Sequence, residues 1–351
     1  MLVLWGLGVL SIFLSQDFPD WSVVLYRKLP LLLLPLGFAW LLPFSRKQMN
    51  WLAITLVLSQ ALVAVASLTQ HMLGFSYLHK PIVEGGHIPI ISGVSHIYFG
   101  VTLAFSSLLS GYMAWEKENT LFPRMHRIWW ILAILNAILL HFFTSRTGLM
   151  AFYAGLSSIF IYAIIRFKAW KIALLGLGVL VVIPSIAYFS VPSFRGRIHN
   201  TTNDWSRFQN SEEDISYNSA ALRLLAWQTA WELIVENPVI GAGLSQVQPN
   251  MAAQYEENGA MDRARKPLHN PHNQYLTYWI GYGFPGLIAL FVVLLIPIIR
   301  SRPPTQMLGF ALFGALSMAL MFENILERQI GMTFFCVIYI WLPFWQHDRT
   351  Q

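Results

Sequence analysis

The sequence predicts an all-α, polytopic transmembrane protein, and three observations predict it. Of its 351 residues, 56% are hydrophobic and only 11% charged, where an ordinary soluble domain carries about 25% charged residues. Mean hydropathy is +0.52. The apolar residues are gathered into runs, most of them near the roughly 20 residues that a helix needs to cross a bilayer.

The runs fall near 1–14, 23–44, 51–68, 94–114, 128–145, 147–165, 170–190, 275–299, 305–322 and 330–345, about ten spans in all. The first, Met1 to Leu14, has no basic leading stretch and no clear small-residue cleavage site. It reads as a retained helix rather than a cleaved signal. Cys336 is the single cysteine and lies inside an apolar run, so no intramolecular disulfide can form and the redox compartment is not legible.

The net charge of +6 does not point to nucleic acid, because the basic residues sit in short links between apolar runs. Such links face the cytoplasm, beside anionic lipid. Arg46, Lys47, Lys117, Arg124, Arg127, Arg166, Lys168, Lys171, Arg300, Arg302 and Arg349 form one set of links, eleven residues. The opposite set holds five: Arg27, Lys28, Lys80, Arg146 and Arg328. The first set is therefore expected inside, with both termini.

This orientation puts 191–274 outside, with 7 basic and 9 acidic residues and no cationic bias. A link this long is uncommon and usually functional. Within it, Tyr217 to Glu236 carries Leu222, Leu225, Ala226, Ala230, Leu233 and Ile234 at helical spacing, with Trp227 and Trp231 beside them. That pattern predicts a helix lying on the membrane–water boundary. Asn237-Pro238 should end it, and Gly241-Ala242-Gly243 should continue the turn. The chain thus divides into N-terminal transmembrane helices over 1–190, a large outer loop with an amphipathic helix over 191–274, and C-terminal transmembrane helices over 275–351. Together they make one integrated membrane domain.

Chemistry-bearing residues gather at the outer ends of spans. His269-Asn270-Pro271-His272-Asn273 ends the long polar segment just where an apolar helix begins. A titratable imidazole there can meet both a lipid-anchored substrate and a surface acceptor. Arg146, in Ser145-Arg146-Thr147-Gly148, sits at the outer junction of two spans. It is either a snorkelling cation or an anion ligand. Arg223 is either a solvated helix face or a second anion ligand, and two guanidiniums suit a diphosphate. Arg27 and Lys28 serve either the same anionic pocket or lipid headgroups. Glu323, Glu327, Arg328 and Gln329 fill the last outer link, where internal ion pairing accounts for them.

His71, His79, His87 and His96 share one outer link with Gly85-Gly86, but their spacing matches no metal-ligand pattern. His269 and His272 lack a third ligand. No Walker loop, no G-x-S-x-G and no loop-borne carboxylate pair is present, so nucleotide-dependent chemistry has no support. An activated group must arrive with the substrate.

His272-Asn273, nine residues, then Gly283-Phe284-Pro285-Gly286 resembles the signature of the O-antigen ligase and polymerase superfamily. Ser145-Arg146-Thr147-Gly148 looks like its first arginine motif. Arg223-x3-Trp227 with Asn237-Pro238 and Gly241-Ala242-Gly243 looks like its large-loop motif, and Glu327-Arg328-Gln329-x-Gly331 like the element before the final span. The resemblance covers roughly 23–345. It implies a GT-C-type membrane glycosyltransferase with a periplasmic active site in the bacterial inner membrane. The implied reaction moves a glycan from undecaprenyl diphosphate to an acceptor hydroxyl, with no cofactor, metal or nucleotide. Arg146, Arg223 and Arg328 would bind substrate, His272 would be catalytic, activating the acceptor hydroxyl or assisting at the reacting centre, and Asn273 would orient it. A lipid A-core sugar is the first acceptor implied; a growing glycan or a protein hydroxyl are the alternatives. A transporter or flippase would place polar, Gly/Pro-broken helices at the bilayer midplane and show inverted repeats, and no internal repeat is evident.

Overall fold

The computed structural model describes residues 1–41, 45–74, 88–116, 126–168, 170–210, 214–216, 218–265, 268–303 and 305–344. Lys80, Lys117, Arg124, Arg349, His79, His87, Gly85, Gly86 and Tyr217, all invoked above, lie outside them.

Every regular element among the described residues is helical. In chain order these are α1 (Leu2–Leu10), α2 (Phe18–Arg27), α3 (Pro30–Leu41), α4 (Arg46–Met72), α5 (His96–Trp115), α6 (His126–Phe143), α7 (Arg146–Phe167) and α8 (Trp170–Ser190). There follow α9 (Pro192–Gln209), α10 (Ser219–Glu236), α11 (Val247–Glu257), α12 (Met261–Ala264), α13 (Gln274–Arg300), α14 (Gln306–Phe322) and α15 (Gln329–Phe344). Side-chain caps fix several starts. Ser45 accepts from the Gln48 amide while the Gln48 side chain accepts from the Ser45 amide, a reciprocal box that opens α4. Ser95 and Ser145 cap α5 and α7 by a single bond each, accepting from the amides of Ile97 and Gly148.

Six helical stretches are long and apolar enough to cross a membrane: Phe18–Leu41, Lys47–Met72, His96–Trp115, His126–Phe143, Arg146–Phe167 and Gln274–Arg300. Counting α8 and α9 together as one broken span makes seven. The sequence predicts about ten. The difference lies in Leu2–Leu14, Gln306–Phe322 and Gln329–Ile340, apolar helices of 10–17 residues, which fall short of the roughly 20 residues that span a hydrocarbon core upright.

The segment 191–274, expected as a large loop with one helix, is mostly helical and contributes α9 to α12. It does not stand apart as a loop domain among the described residues. The chain forms two compact units that cut across sequence order. Unit 1 holds Met1–Trp40, Ile198–Leu294 and Leu320–Val337; unit 2 holds Leu41–Arg197, Leu295–Ala319 and Ile338–Gln351.

Unit 2 is built on α5, whose Phe99, Leu103, Phe105 and Leu109 are buried. Small residues bring its helices together, as expected where lipid removes the hydrophobic drive between helices. A Cβ on Gly148 of α7 would strike the backbone of Gly100 in α5, and one on Gly314 of α14 would strike the Ala154 carbonyl in α7. Polar side chains also link helices inside the unit: Ser107 Oγ donates to the Ala133 carbonyl at 2.7 Å, and Asn136 Nδ2 donates to Ser106 Oγ at 3.2 Å.

Candidate functional site

Unit 1 carries the histidine motif, and the local sequence dictates its shape. Asn273 is the N-cap of α13: its Oδ1 accepts from the amides of Tyr275 at 3.0 Å and Leu276 at 3.2 Å. Asn270 Oδ1 accepts from the His272 amide at 3.1 Å across Pro271. That turn holds His272 at φ 48°, a left-handed conformation costing a non-glycine residue about 1–2 kcal/mol. The strained backbone turns the imidazole off the helix start, where its side chain remains 37% exposed.

The imidazole is held from the far end of the chain. His272 Nδ1 lies 3.4 Å from Glu323 Oε1, in the link that follows α14. The second oxygen of Glu323 lies 3.6 Å from Arg223 Nη2 on α10. Burial alone works against the ionised form of this carboxyl. The hydrogen bond with His272, the imidazolium charge, the Arg223 guanidinium and the Asn324 amide outweigh it and hold the Glu323 pKa below the ordinary carboxylate value. Glu323 is therefore an anion at neutral pH. With Nδ1 engaged by a carboxylate, Nε2 is the nitrogen left to take a proton from a hydroxyl.

The link from Glu323 to Arg328 is stitched to the start of α13. Thr277 Oγ1 donates to Asn324 Oδ1 at 3.2 Å, and Asn324 Nδ2 donates to Asn270 Oδ1 at 3.3 Å. Gln274 donates through Nε2 to Glu327 Oε1 at 2.9 Å and accepts from the Leu326 amide at 2.8 Å. Lys28 is 1% exposed and donates to Glu327 Oε1 at 2.8 Å and to the Leu326 carbonyl at 3.1 Å, with its Nζ 5.0 Å from the Tyr278 ring centre. Lys28 is thus a structural cation committed to Glu327, while Arg27 beside it is exposed.

The glycine motifs form a clasp behind the histidine. Gly283 interrupts α13 with φ 63° and ψ −160°. The turn after α10 fits into that break: the amides of Ala242 and Gly243 donate to the carbonyls of Ile280 at 2.7 Å and Gly281 at 3.0 Å, and Phe284 donates back to Pro238 at 3.1 Å. Gly241 and Gly243 take φ 77° and 90°, a region open to glycine at little cost. Trp279 Nε1 donates to the Pro238 carbonyl at 2.9 Å, and Trp231 meets the Trp279 ring edge-on at 5.7 Å. Asn237-Pro238, Gly241-Ala242-Gly243 and Gly283-Phe284-Pro285-Gly286 therefore serve to fix the helix that presents His272.

In front of the histidine lies a half-open cavity of about 1410 Å³. His272, Glu323, Asn324, His269, Arg27 and Arg328 are on its wall, together with Asp20, Ser22 and Gln248. Arg328 has no ion-pair partner among the described residues and is exposed on extended backbone. Among the described residues, no three of His, Cys, Asp or Glu are grouped to hold a metal.

A family model described as O-Antigen ligase matches residues 131–291. The chain carries an O-antigen ligase family domain. No curated protein matches the chain. The O-antigen ligase match takes in Arg146, Arg223, His272, Asn273 and the whole glycine clasp, and it stops before Glu323 and Arg328. Residues 131–291 are thus similar to the O-antigen ligase family.

Within this O-antigen ligase frame, unit 1 brings His272, Asn273, Arg223 and Arg328 together. Arg146 belongs to unit 2, half-buried as the first residue of α7, where Ser145 Oγ accepts from the Gly148 amide at 3.3 Å. Two roles were not legible in the sequence. Internal ion pairing accounts for Glu323 in the sequence, and nothing in a spacing of 51 residues announces that its partner is His272. His141 belongs to no motif, and it is buried with Nε2 2.6 Å from Tyr153 Oη and Nδ1 2.7 Å from the Ala137 carbonyl. Both of its nitrogens are engaged, which makes it a packing element of unit 2.

Proposed function

We propose that the protein transfers a glycan from undecaprenyl diphosphate to an acceptor hydroxyl, a lipid A-core sugar in the first instance. The reaction takes place on the periplasmic side of a bacterial inner membrane, in a GT-C-type fold of about ten spans. The observation that carries this reading is the geometry of His272. Its imidazole sits two residues before α13, on the wall of a cavity with both polar and apolar lining, with one nitrogen on a buried carboxylate. That arrangement suits a base for a hydroxyl approaching from the cavity.

In this mechanism Arg223 and Arg328 hold the donor diphosphate and stabilise the charge that develops on it as the glycosidic bond breaks. His272 removes the acceptor proton, and Asn273 positions it by capping α13. The hydroxyl oxygen displaces the diphosphate directly, with inversion at the anomeric carbon. Neither a metal nor a nucleotide enters, because the donor arrives activated.

The test is transfer by the full chain in vesicles containing a lipid-diphosphate glycan, with and without a chelator. His272→Ala is expected to lose at least about 100-fold in rate, the scale of a lost general base. Arg223→Ala is expected to weaken donor use. Full transfer by both variants would falsify the assignment, and loss of activity with the chelator would return attention to the histidine-rich link 69–96. A second reading, supported by the same family match, keeps the chemistry and changes the acceptor to a growing glycan or a protein. A deletion strain separates them: loss of long-chain lipopolysaccharide with intact lipid-linked polymer favours the ligase, whereas accumulated single repeat units favour the polymerase. A transporter or flippase predicts translocation that survives His272→Ala.

A further inference from the structure

We infer that Glu323 is a positioning residue that passes its charge from Arg223 to His272 when an anionic donor engages Arg223. The inference rests on His272 as the base of the transfer proposed above. Its ground is that one buried carboxylate faces two cations with different tasks. Oε1 is 3.4 Å from His272 Nδ1, and Oε2 is 3.6 Å from Arg223 Nη2, while the Glu323 side chain is only 11% exposed.

Arg223 is held loosely. At 3.6 Å its contact with Glu323 is too long for a hydrogen bond. Its other contact, Nη1 to the Ser219 carbonyl, is 3.4 Å. Arg223 Nε and Glu323 Oε2 are both buried with no hydrogen bond of their own, a condition that costs free energy until a partner arrives. A phosphate offers several charged oxygens matched to the guanidinium fork, and it outcompetes a carboxylate at that distance.

Once a diphosphate takes Arg223, the negative charge of Glu323 falls on His272 alone. An unshared anion beside an imidazole favours its protonated form. His272 therefore becomes a stronger base when the donor is in place. In the step this serves, the acceptor O–H proton passes to His272 Nε2 and the hydroxyl oxygen bonds the anomeric carbon. The anomeric C–O bond to the diphosphate breaks, and its electron pair leaves on the diphosphate oxygen.

Other charges act on the pair as well. His269 precedes α13 on the same strand of chain, and Glu327 and Arg328 follow Glu323. Across the cavity, α2 and its end contribute Asp20, Arg27 and Lys28. Lys28 and Glu327 neutralise each other, and the rest are present with or without donor. They leave the response of His272 to the donor to Glu323 and Arg223.

The experiment is an NMR titration of the His272 imidazole in the detergent-solubilised full chain, with farnesyl diphosphate as the probe. The His272 signal is identified by its absence in His272→Ala. In the wild type, farnesyl diphosphate is expected to raise the protonation constant of His272 about tenfold, one pH unit. In Glu323→Gln the rise should be clearly smaller, since only the direct field of the probe remains. Arg223→Met tests the same link with Glu323 intact: its constant should already be raised without the probe and should not rise further. A wild-type constant that the probe leaves unchanged, or an equal rise in Glu323→Gln, overturns the inference. The titration involves neither acceptor nor transfer, so such a result leaves His272 standing as the base. Full transfer by His272→Ala does the reverse.

Discussion

Glu323 shows how one side chain can set the acid response of a site. Its pKa is depressed in the folded chain, with burial opposed by His272, Arg223 and the Asn324 amide. A carboxyl of this kind contributes stability that is fully present above its unfolded value, about 4.3, and is lost as pH falls through the depressed folded value. The wild-type melting temperature should therefore fall more steeply than that of Glu323→Gln below about pH 4.3. Their difference should be largest at neutral pH, and parallel curves would remove Glu323 from the acid transition. At this scale the sequence was informative where chemistry is local. Pro271 and Asn273 mark the start of α13, so the position of His272 ahead of that helix could be read directly. Partnership was not local. Lys28 and Glu327 are 299 residues apart, and a sequence that offers Lys28 equally to an anionic pocket or to headgroups gives no sign that it is buried in an ion pair.

At the scale of elements, the helices follow the apolar runs closely because bilayer-length hydrophobicity leaves the backbone one way to satisfy its polar groups. The predicted stop at Asn237-Pro238 also appears, with α10 ending at Glu236. What pattern did not reveal is that two separate glycine motifs close on one another. Gly283 is the test of that clasp. Its φ of 63° with ψ −160° belongs to glycine, and a Cβ there would strike the Val239 carbonyl. Gly283→Ala is expected to destabilise the protein by about 2–3 kcal/mol, combining backbone strain with the clash. Thermal unfolding in detergent measures it. A melting temperature equal to wild type would mean that the break in α13 tolerates a side chain.

For the molecule as a whole, composition made the class of protein plain, but the grouping of its parts was hidden. Unit 1 is assembled from three stretches of chain, the first 40 residues among them, and no periodicity reports which distant helices pack together. Orientation is a separate matter and rests on the distribution of basic links. It can be tested cleanly because the one native cysteine, Cys336, is buried. After Cys336→Ala, a membrane-impermeant thiol reagent added to intact cells with the outer membrane permeabilised should label Asn258→Cys and spare Lys47→Cys. Both positions are exposed. The reverse pattern would invert the topology and put His272 on the cytoplasmic side.

The break at Gly283 has a mechanical consequence. A continuous helix transmits tilt along its length, so a bilayer that thickens or thins around it moves both of its ends. Here the turn at 238–243 grips α13 at the break, between the first turns that carry His272 and the long apolar stretch after Phe284. Tilt of that apolar stretch is expected to be taken up at the joint, leaving the alignment that Asn273, Thr277 and Gln274 set for the first turns. His272 thus rides on a short, anchored stub rather than on the end of a 27-residue lever.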